Sequence, residues 1–380
     1  MKPIIIIGSG LAGYNVAREF RKYDKDTPIT IITRDGGAFY SKPQLSVALA
    51  YHKTADDLAA MTSDKMEKTL NATIVTHCEL TKILPKENAI VCGEERFEYQ
   101  SLVLALGADT PVPNIEGNGA KDIWQINDVY EYGKFRRALE GKKRVAVLGS
   151  GLVGSEFTND FVKAGFDVHT VEMAAYPLSL LIPEKVGKKL VKHLEDHGVQ
   201  WHLNCVATRI DKTVQGYRIH LSDDTMFEAD IVLSAIGLRP RVALAAEASI
   251  ATGRGIIVNR FLQTNIDNIY ALGDCAEVEG LVLPYVAPML ESAKALAKTL
   301  SGEKTQVRFP AMPVVIKTTL YSICACQKPG ELSGEWTFEV NDGAVKGYRR
   351  NQENQLLGFV LTQEAVKERM SLQSQCQDWL

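Results

Sequence analysis

The stretch IIIIGSGLAG at residues 4–13 decides the fold, because an apolar run leads directly into three glycines spaced G-x-G-x-x-G. The same pattern returns as VAVLGSGLVG at residues 145–154, and the first glycines of the two copies lie 141 positions apart. In this motif the first glycine permits a tight turn out of a strand, the second lets the backbone approach a pyrophosphate, and the third lets helix and strand pack closely. Two copies, each between a predicted strand and a predicted helix, indicate two dinucleotide sites and electron transfer between them.

The composition is typical of a soluble globular protein of two or three domains. The chain has 380 residues, of which 46% are apolar and 23% charged, and its net charge is −3. That balance argues against non-specific nucleic-acid binding, which needs a basic excess. No apolar stretch is long enough to span a bilayer, and residues 1–3 lead straight into a strand rather than a signal peptide. The seven scattered cysteines include no CxxC pair, so we expect a cytoplasmic protein with reduced thiols. We also expect a monomer or weak dimer.

Alternating predicted strands and helices indicate an α/β fold with buried parallel sheets. Residues 1–33 form a predicted βαβ unit, and residues 142–172 repeat it. The tail differs, because short β-like runs alternate with turns before a helical pattern from Thr362. The runs of the tail are residues 314–317, 336–340, 343–349 and 355–361. We therefore expect two Rossmann-like dinucleotide-binding domains and a small α+β C-terminal domain.

Two proline-marked junctions, near residues 109–115 and 238–241, indicate that the first domain is discontinuous. The chain would leave the first domain, build an inserted second domain and then return. The predicted domains are residues 1–108 with 242–311, residues 109–241, and residues 312–380.

An acidic side chain is expected about 20 residues after each motif, at the end of the second strand, where it would bind a ribose hydroxyl. In the second copy Glu172 ends the run HTVE, 18 residues after Gly154. A carboxylate there rejects a 2′-phosphate, and no arginine follows among residues 173–176 to receive one. The second motif is therefore predicted to bind NADH rather than NADPH.

The first copy departs from this pattern. Its second strand ends in ITR at residues 32–34, and Thr33 occupies the expected position of the acid. Either Asp35 takes over the role, or backbone groups near Arg34 bind the adenosine. The departure concerns this one contact and leaves the predicted dinucleotide-binding domain unchanged.

Three later runs complete the pattern. LVLALGA at residues 102–108 and IVLSAIGLRP at residues 231–240 are apolar strands that end in glycine turns, at similar distances from their motifs. IYALGD at residues 269–274 is a strand that ends in a glycine and an acid. In this order the segments resemble the two-dinucleotide flavoprotein reductases. The resemblance implies that the first domain binds FAD, with Asp274 at its ribityl and pyrophosphate region, and that the inserted domain binds the nicotinamide nucleotide.

The segment YSKPQLS at residues 40–46 lacks the cysteines found in two other branches of these reductases. Enzymes of the glutathione reductase type carry a redox disulfide there and a histidine dyad near the C-terminus, whereas the last histidine here is His220. Peroxidases and water-forming oxidases of this fold carry a single cysteine in that segment. The pair Cys324 and Cys326 lies in the tail and is interpreted as ordinary residues. The resemblance therefore implies a flavin that works without a protein thiol.

Four segments together resemble the rubredoxin–NAD reductases. They are YSKPQLS, the run GSEF with Asn159 and Asp160 after the second motif, YALGDCAE at residues 270–277, and MPVVIKT at residues 312–318. The short C-terminal domain also matches this group. Flavorubredoxin reductases, which feed a nitric oxide reductase, share the same motifs.

The resemblance implies an FAD-dependent NADH:rubredoxin reductase. Hydride would pass from NADH to the flavin N5, and single electrons would then pass to rubredoxin, a small acidic iron protein. An oxygenase such as an alkane hydroxylase, or a system that detoxifies oxygen and relieves stress, would consume the electrons. Flavorubredoxin or ferredoxin is the alternative acceptor. The alternative from another class is a flavin sensor or scaffold that binds NADH without turnover.

Three charged side chains carry the implied flavin chemistry. Lys42 would reach the N5 side of the ring and pair with Glu156, since a buried lysine needs a partner to stay charged. Lys317 would lie by the N1–C2 carbonyl end, where a cation stabilises the anionic reduced flavin and raises its potential. The alternative for both lysines is an ordinary surface position.

The remaining implied contacts follow the motifs, and no metal site is expected. Leu80 and Val286 would contact FAD through backbone groups. The implied FAD contacts are Gly8, Ser9, Gly10, Ala12, Gly13, Arg34, Asp35, Lys42, Leu80, Gly107, Glu156, Asp274, Val286 and Lys317. The implied NAD contacts are Gly149, Gly151, Leu152, Val153, Gly154, Glu172 and Gly237.

Overall fold

The computed structural model describes residues 1–330, 333–341 and 343–380. The first strands along the chain are β1 (Ile4–Ile7), β2 (Ile29–Ile32), β3 (Thr73–Val75), β4 (Leu80–Leu84), β5 (Ala89–Cys92), β6 (Glu95–Glu98), β7 (Ser101–Leu104) and β8 (Ala108–Asp109). The next are β9 (Arg144–Leu148), β10 (Asp167–Glu172), β11 (Val199–Leu203), β12 (Ala207–Thr213), β13 (Gly216–Leu221), β14 (Met226–Ala229), β15 (Ile231–Ser234) and β16 (Arg239–Pro240). The last are β17 (Ile256–Val258), β18 (Ile269–Ala271), β19 (Ala276–Val278), β20 (Val314–Ile316), β21 (Ile323–Gln327), β22 (Glu335–Asn341), β23 (Ala344–Arg350) and β24 (Leu356–Thr362).

Helices lie between the strands of the two parallel sheets and at the C-terminal end of the chain. They are α1 (Leu11–Phe20), α2 (Ala55–Leu58), α3 (Ser63–Leu70), α4 (Val129–Ala138), α5 (Leu152–Lys163), α6 (Glu184–Glu195), α7 (Ala243–Glu247), α8 (Val286–Leu300) and α9 (Arg369–Gln373). Within the part of the chain that is described, none of these helices has the length and apolar character needed to cross a membrane.

The first parallel sheet carries the first glycine motif and has the strand order β18-β7-β1-β2-β3. β1 is buried along its whole length, as expected for a strand covered on both faces. β18 comes from far along the chain but pairs with β7, next to β1. The carboxyl end of β18 therefore lies at the same edge of the sheet as the first glycine loop.

The second parallel sheet carries the second motif and has the strand order β11-β10-β9-β15. The antiparallel strands β12, β13 and β14 cover one of its faces. The chain enters and leaves this region through two short strands, β8 and β16, which pair with each other. This sheet membership supports the predicted domain boundaries, and we propose the same division of the chain.

The C-terminal region forms an antiparallel sheet of order β20-β21-β24-β23-β22. Alternate residues of β21 belong to two different cores, so the sheet packs between the two dinucleotide-binding regions. Cys324 and Cys326 lie in the core of the first region, whereas Ile323 and Ala325 lie in the core of the second. The predicted fold class, two Rossmann-like domains with a small α+β domain, is confirmed.

The tail contains one strand more than its sequence predicts. β21 is buried on both faces, so its sequence ICACQ lacks the alternation of polar and apolar residues that marks a half-buried strand. The predicted helix from Thr362 is shorter than expected, because Gln363–Glu368 forms a 3₁₀-helix before the single turn of α9.

Phe359 tests the packing of the C-terminal sheet, because it is fully buried in the first core. Phe359→Ala should lower the free energy of unfolding by about 3–5 kcal/mol, since the lost ring leaves a cavity. Val340→Ala in the same sheet is the control, because Val340 is 46% exposed and its truncation should cost at most about 0.5 kcal/mol. Guanidinium unfolding followed by circular dichroism measures both, and equal losses for the two variants would contradict the packing.

Candidate functional site

The first and third glycines of the two motifs are required by close backbone contacts. Gly8 and Gly149 have φ values of 110° and 91°, which L side chains rarely adopt. A Cβ atom on Gly13 would collide with the carbonyl oxygen of Gly8, and one on Gly154 would collide with that of Gly149. These contacts set the tight strand–helix turn in both copies.

The middle glycines have no such structural reason. An added Cβ atom on Gly10 or Gly151 would meet no atom within 4 Å. Both residues precede a helix, α1 or α5, and neither helix has a side-chain cap at its N-terminus. Free N–H groups and the helix dipole therefore face open space, which is the arrangement that binds a pyrophosphate. Both loops fit a dinucleotide.

The acid of the second copy is held against its own glycine loop. The backbone N–H and the hydroxyl of Ser150 donate to Glu172 Oε2 at 2.7 and 2.8 Å, and the N–H of Ala174 donates to Oε1 at 2.9 Å. Glu172 is the last residue of β10. The carboxylate is thus fixed beside the turn where a ribose would follow the pyrophosphate.

In the first copy the strand register places Thr33 at the position of Glu172. Gly8 binds the carbonyl of Ile32 just as Gly149 binds that of Val171, so the next residue is equivalent in each copy. Asp35 nevertheless reaches the loop, since its Oδ1 accepts hydrogen bonds from Thr33 Oγ1 at 3.0 Å and Ser9 Oγ at 3.3 Å. Of the two alternatives from sequence, Asp35 is thus in contact with Ser9 of the first glycine loop, whereas the role of backbone groups near Arg34 stays a prediction.

Asp274 lies where the first sheet meets α1. A Cβ atom on Gly273 would be 2.9 Å from Ala12 Cβ, so the turn after β18 packs directly on the start of α1. Burial raises the pKa of Asp274, and the positive charges of Lys42 and Arg241 oppose that shift. Burial also lowers the pKa of Lys42. Among the neighbouring charges, that of Asp274 opposes this decrease most strongly. The structure therefore brings Lys42 and Asp274 into one partly buried group of charges.

The predicted Lys42–Glu156 pair is wrong. Lys42 Nζ instead donates to Asn127 Oδ1 at 2.6 Å, and Glu156 pairs with Lys317 Nζ at 2.5 Å. Lys42–Val47 is a 3₁₀-helix, in which successive residues are about 120° apart, so residues four positions apart face different sides. Lys42 faces Asn127 as a result, and Ser46 rather than Lys42 faces Glu156.

Buried polar side chains of α5 connect three parts of the chain. Glu156, Asn159 and Asp160 are each at most 2% exposed. Asn159 Oδ1 accepts from the N–H of Leu320, and Asp160 accepts from the N–H groups of residues 49 and 50 at 2.9 and 3.1 Å. Burial raises the pKa of Asp160 to about 6, although those two hydrogen bonds lower it. The helix that begins at the second glycine loop is thus fixed to the first domain and to the C-terminal sheet.

The other predicted site residues lie at the starts of helices and strands or in turns after strands. Val286 begins α8 and Leu80 begins β4, while Leu152 and Val153 form the first turn of α5. Gly107 and Gly237 follow the strands next to the motifs with φ values of 70° and 117°. None of these positions contradicts the predicted contacts, which stay predictions until a nucleotide is bound.

Sequence reasoning missed four residues that hold the site together. Ser46 donates a hydrogen bond to Glu156, and Ser150 donates one to Glu172. Asn127 accepts a hydrogen bond from Lys42, and Arg241 binds Asp109 beside the paired strands β8 and β16. A comparison of the two motifs could have identified Ser150, because Ser9 stands at the same place. Asn127 carries no local signal, since it meets Lys42 only through the fold.

The thiol next to Asp274 is buried in the protein interior. Cys275 directly follows Asp274, but it is fully buried and its Sγ faces the carbonyl oxygens of Leu104 and Leu272 at 3.4 Å. Burial raises its pKa to about 11, so it stays protonated near neutral pH.

Two family models match the chain. Residues 2–296 match the pyridine nucleotide-disulphide oxidoreductase model, and residues 306–376 match a rubredoxin binding C-terminal domain. The boundary between the two matches lies just before β20, where the C-terminal sheet begins.

Known proteins resemble the chain over nearly its whole length. A rubredoxin-NAD(+) reductase of Alcanivorax borkumensis is 46% identical, with 98% of each chain covered. A nitric oxide reductase FlRd-NAD(+) reductase of Aliivibrio fischeri is 35% identical, with 97% of each covered. The solved ferredoxin reductase of Rhodopseudomonas palustris has a TM-score of 0.91 at 21% identity, with 99% of this chain and 96% of that chain covered, which supports the fold.

The glycines offer a matched pair of substitutions. Gly151→Ala adds a methyl group to open space, so the protein should fold normally while its affinity for the nicotinamide nucleotide falls by about tenfold or more, because the backbone can no longer approach the pyrophosphate. Gly154→Ala should instead lower the thermal unfolding midpoint, since its Cβ would meet Gly149. Calorimetric binding and thermal unfolding separate the two effects. Unchanged nucleotide affinity in Gly151→Ala would contradict the loop assignment.

Proposed function

This chain belongs to the pyridine nucleotide-disulphide oxidoreductase family, and we propose that it is an FAD-dependent NADH:rubredoxin reductase. The observation that carries the proposal is the position of Lys317. The region that matches a rubredoxin-binding domain brings this lysine to Glu156, on the helix that follows the second glycine loop. The C-terminal region, which would bind the acceptor protein, thus extends to the start of α5, where the two dinucleotides would meet.

The first loop fits FAD. The free N–H groups behind Gly10 would hold the pyrophosphate, Asp35 the adenosine ribose, and Asp274 the ribityl region. Lys42 and Lys317 would place two cations at the ring. Bound FAD would supply the central chemistry, since a flavin accepts two electrons as hydride and releases them one at a time.

The second loop fits NADH. The N–H groups of the helix turn that follows Gly151 would hold the pyrophosphate of NADH. Glu172 would accept hydrogen bonds from the ribose hydroxyls and would repel a 2′-phosphate. The chain's own task in the transfer is to hold the nicotinamide against the flavin, because hydride transfer needs proximity and orientation rather than a general base. The buried contacts of α5 with residues 46–50 and 317–320 support a fixed distance between the two sites.

Rubredoxin is the proposed acceptor, and flavorubredoxin is the second candidate because of the FlRd-NAD(+) reductase relative. An oxygenase or an oxygen-detoxifying system would consume the electrons. We also propose a cytoplasmic location, which the seven free cysteines support.

Stopped-flow spectroscopy tests the proposed function. NADH should bleach the flavin of the purified protein, and rubredoxin should reoxidise it much faster than air does. Flavorubredoxin and a ferredoxin of similar net charge serve as matched acceptors. Bleaching by NADH without any acceleration by rubredoxin would show that the acceptor assignment is wrong, and the other acceptors would identify its replacement.

Glu172→Gln tests the nucleotide preference. Loss of the carboxylate charge should weaken NADH binding, because the ribose hydroxyls lose a charged hydrogen-bond acceptor. It should also narrow the preference for NADH over NADPH by about tenfold, because the repulsion of the 2′-phosphate disappears. Rates of flavin bleaching at a series of NADH and NADPH concentrations measure the change. Glu195→Gln, on the exposed end of α6, is the control. A wild-type protein that accepts both nucleotides equally would contradict the role of Glu172.

A further inference from the structure

Glu156 receives three donors although it is almost fully buried. Ser46 Oγ and Lys317 Nζ donate to its Oε2 at 2.6 and 2.5 Å, and the backbone N–H of Lys317 donates to Oε1 at 3.1 Å. The carboxylate is 2% exposed, whereas the Lys317 side chain is 31% exposed. A buried carboxylate is stable only when its oxygens are paired in this way.

Ser46 is the donor that comes from the first domain. Its hydroxyl is buried, and the shorter of its two contacts is the one to Glu156, since the Pro43 carbonyl lies 3.3 Å away. The segment that carries Ser46 is fixed on both sides. Lys42 binds Asn127 before it, and the N–H groups of residues 49 and 50 bind Asp160 after it.

Lys317 lacks such rigidity of its own. Its ammonium group stands on a flexible four-carbon stem, so its position depends on the carboxylate that holds it. That carboxylate is held at Oε1 by the backbone N–H of Lys317, and at Oε2 by the Ser46 hydroxyl and the ammonium group itself. The Ser46 hydroxyl binds the same oxygen as the ammonium group and comes from a different segment, so it helps to fix where that oxygen lies.

We propose that Ser46 is a positioning residue, which orients Glu156 so that Lys317 is held at the pyrimidine end of the flavin. The inference rests on the proposed function, because it assumes that the flavin ring lies beside Lys317. Ser46 touches neither nucleotide in this proposal. It acts on the flavin potential and on the rate of hydride acceptance only through Glu156 and Lys317.

Ser46→Ala, Ser46→Thr and Thr264→Val test the proposal on the FAD-loaded protein. Ser46→Ala should shift the flavin midpoint potential to a more negative value and slow flavin reduction at saturating NADH about tenfold, while the dissociation constant for NADH stays unchanged. Ser46→Thr keeps the hydroxyl and should restore most of both values. Thr264→Val removes another buried hydroxyl, which lies before β18 and hydrogen-bonds to the backbone of Ile266, and should change neither.

The potential distinguishes positioning from a merely structural role, because a loosened fold would lower the thermal unfolding midpoint without a specific shift of the flavin. A Ser46→Ala protein with the potential and reduction rate of Thr264→Val would overturn the proposal. So would a potential that shifts equally in Ser46→Ala and Ser46→Thr. Failure of the proposed function would appear differently, in the wild-type protein, as a flavin that NADH does not bleach or that rubredoxin does not reoxidise.

Discussion

The buried carboxylate of Glu156 is the constraint on which the arrangement of the site depends. A charge removed from water must be paired, and its partners here come from the segment after the first glycine loop and from the C-terminal sheet. Glu156 itself stands one turn into α5, directly behind the second glycine loop. Any movement of one of these three parts would leave a buried charge with fewer donors, so the fold keeps them in one fixed relation.

The two glycine loops show how one physical solution serves two ligands. In each, backbone contacts force the outer glycines, and only the middle glycine faces open space. The acids then differ, since Glu172 is the last residue of β10, whereas Asp35 lies three residues beyond the end of β2. In both copies a serine of the loop binds the acid, so the loop and its acid form one preorganised unit.

Local patterns predict the elements that depend on local physics. The apolar runs and glycine spacings predicted both parallel sheets and both tight strand–helix turns, whereas the place of Asp274 beside the first loop was implied only by the family resemblance. The partner of Glu156 could not be predicted, because Lys317 is 161 residues away and the choice between two lysines depends on the 3₁₀-helix at Lys42. β21 was not predicted either, because a strand buried on both faces lacks the alternation of polar and apolar residues that indicates a half-buried strand.

A crystal structure of the chain with FAD and NAD⁺ bound is the most direct test of this account. The account predicts the FAD pyrophosphate at Gly10, the NAD⁺ pyrophosphate at Gly151, and Lys317 beside the pyrimidine end of the flavin while it still binds Glu156. Exchange of the two nucleotides between the loops would contradict the central claim. A flavin ring remote from Lys317 would contradict it equally.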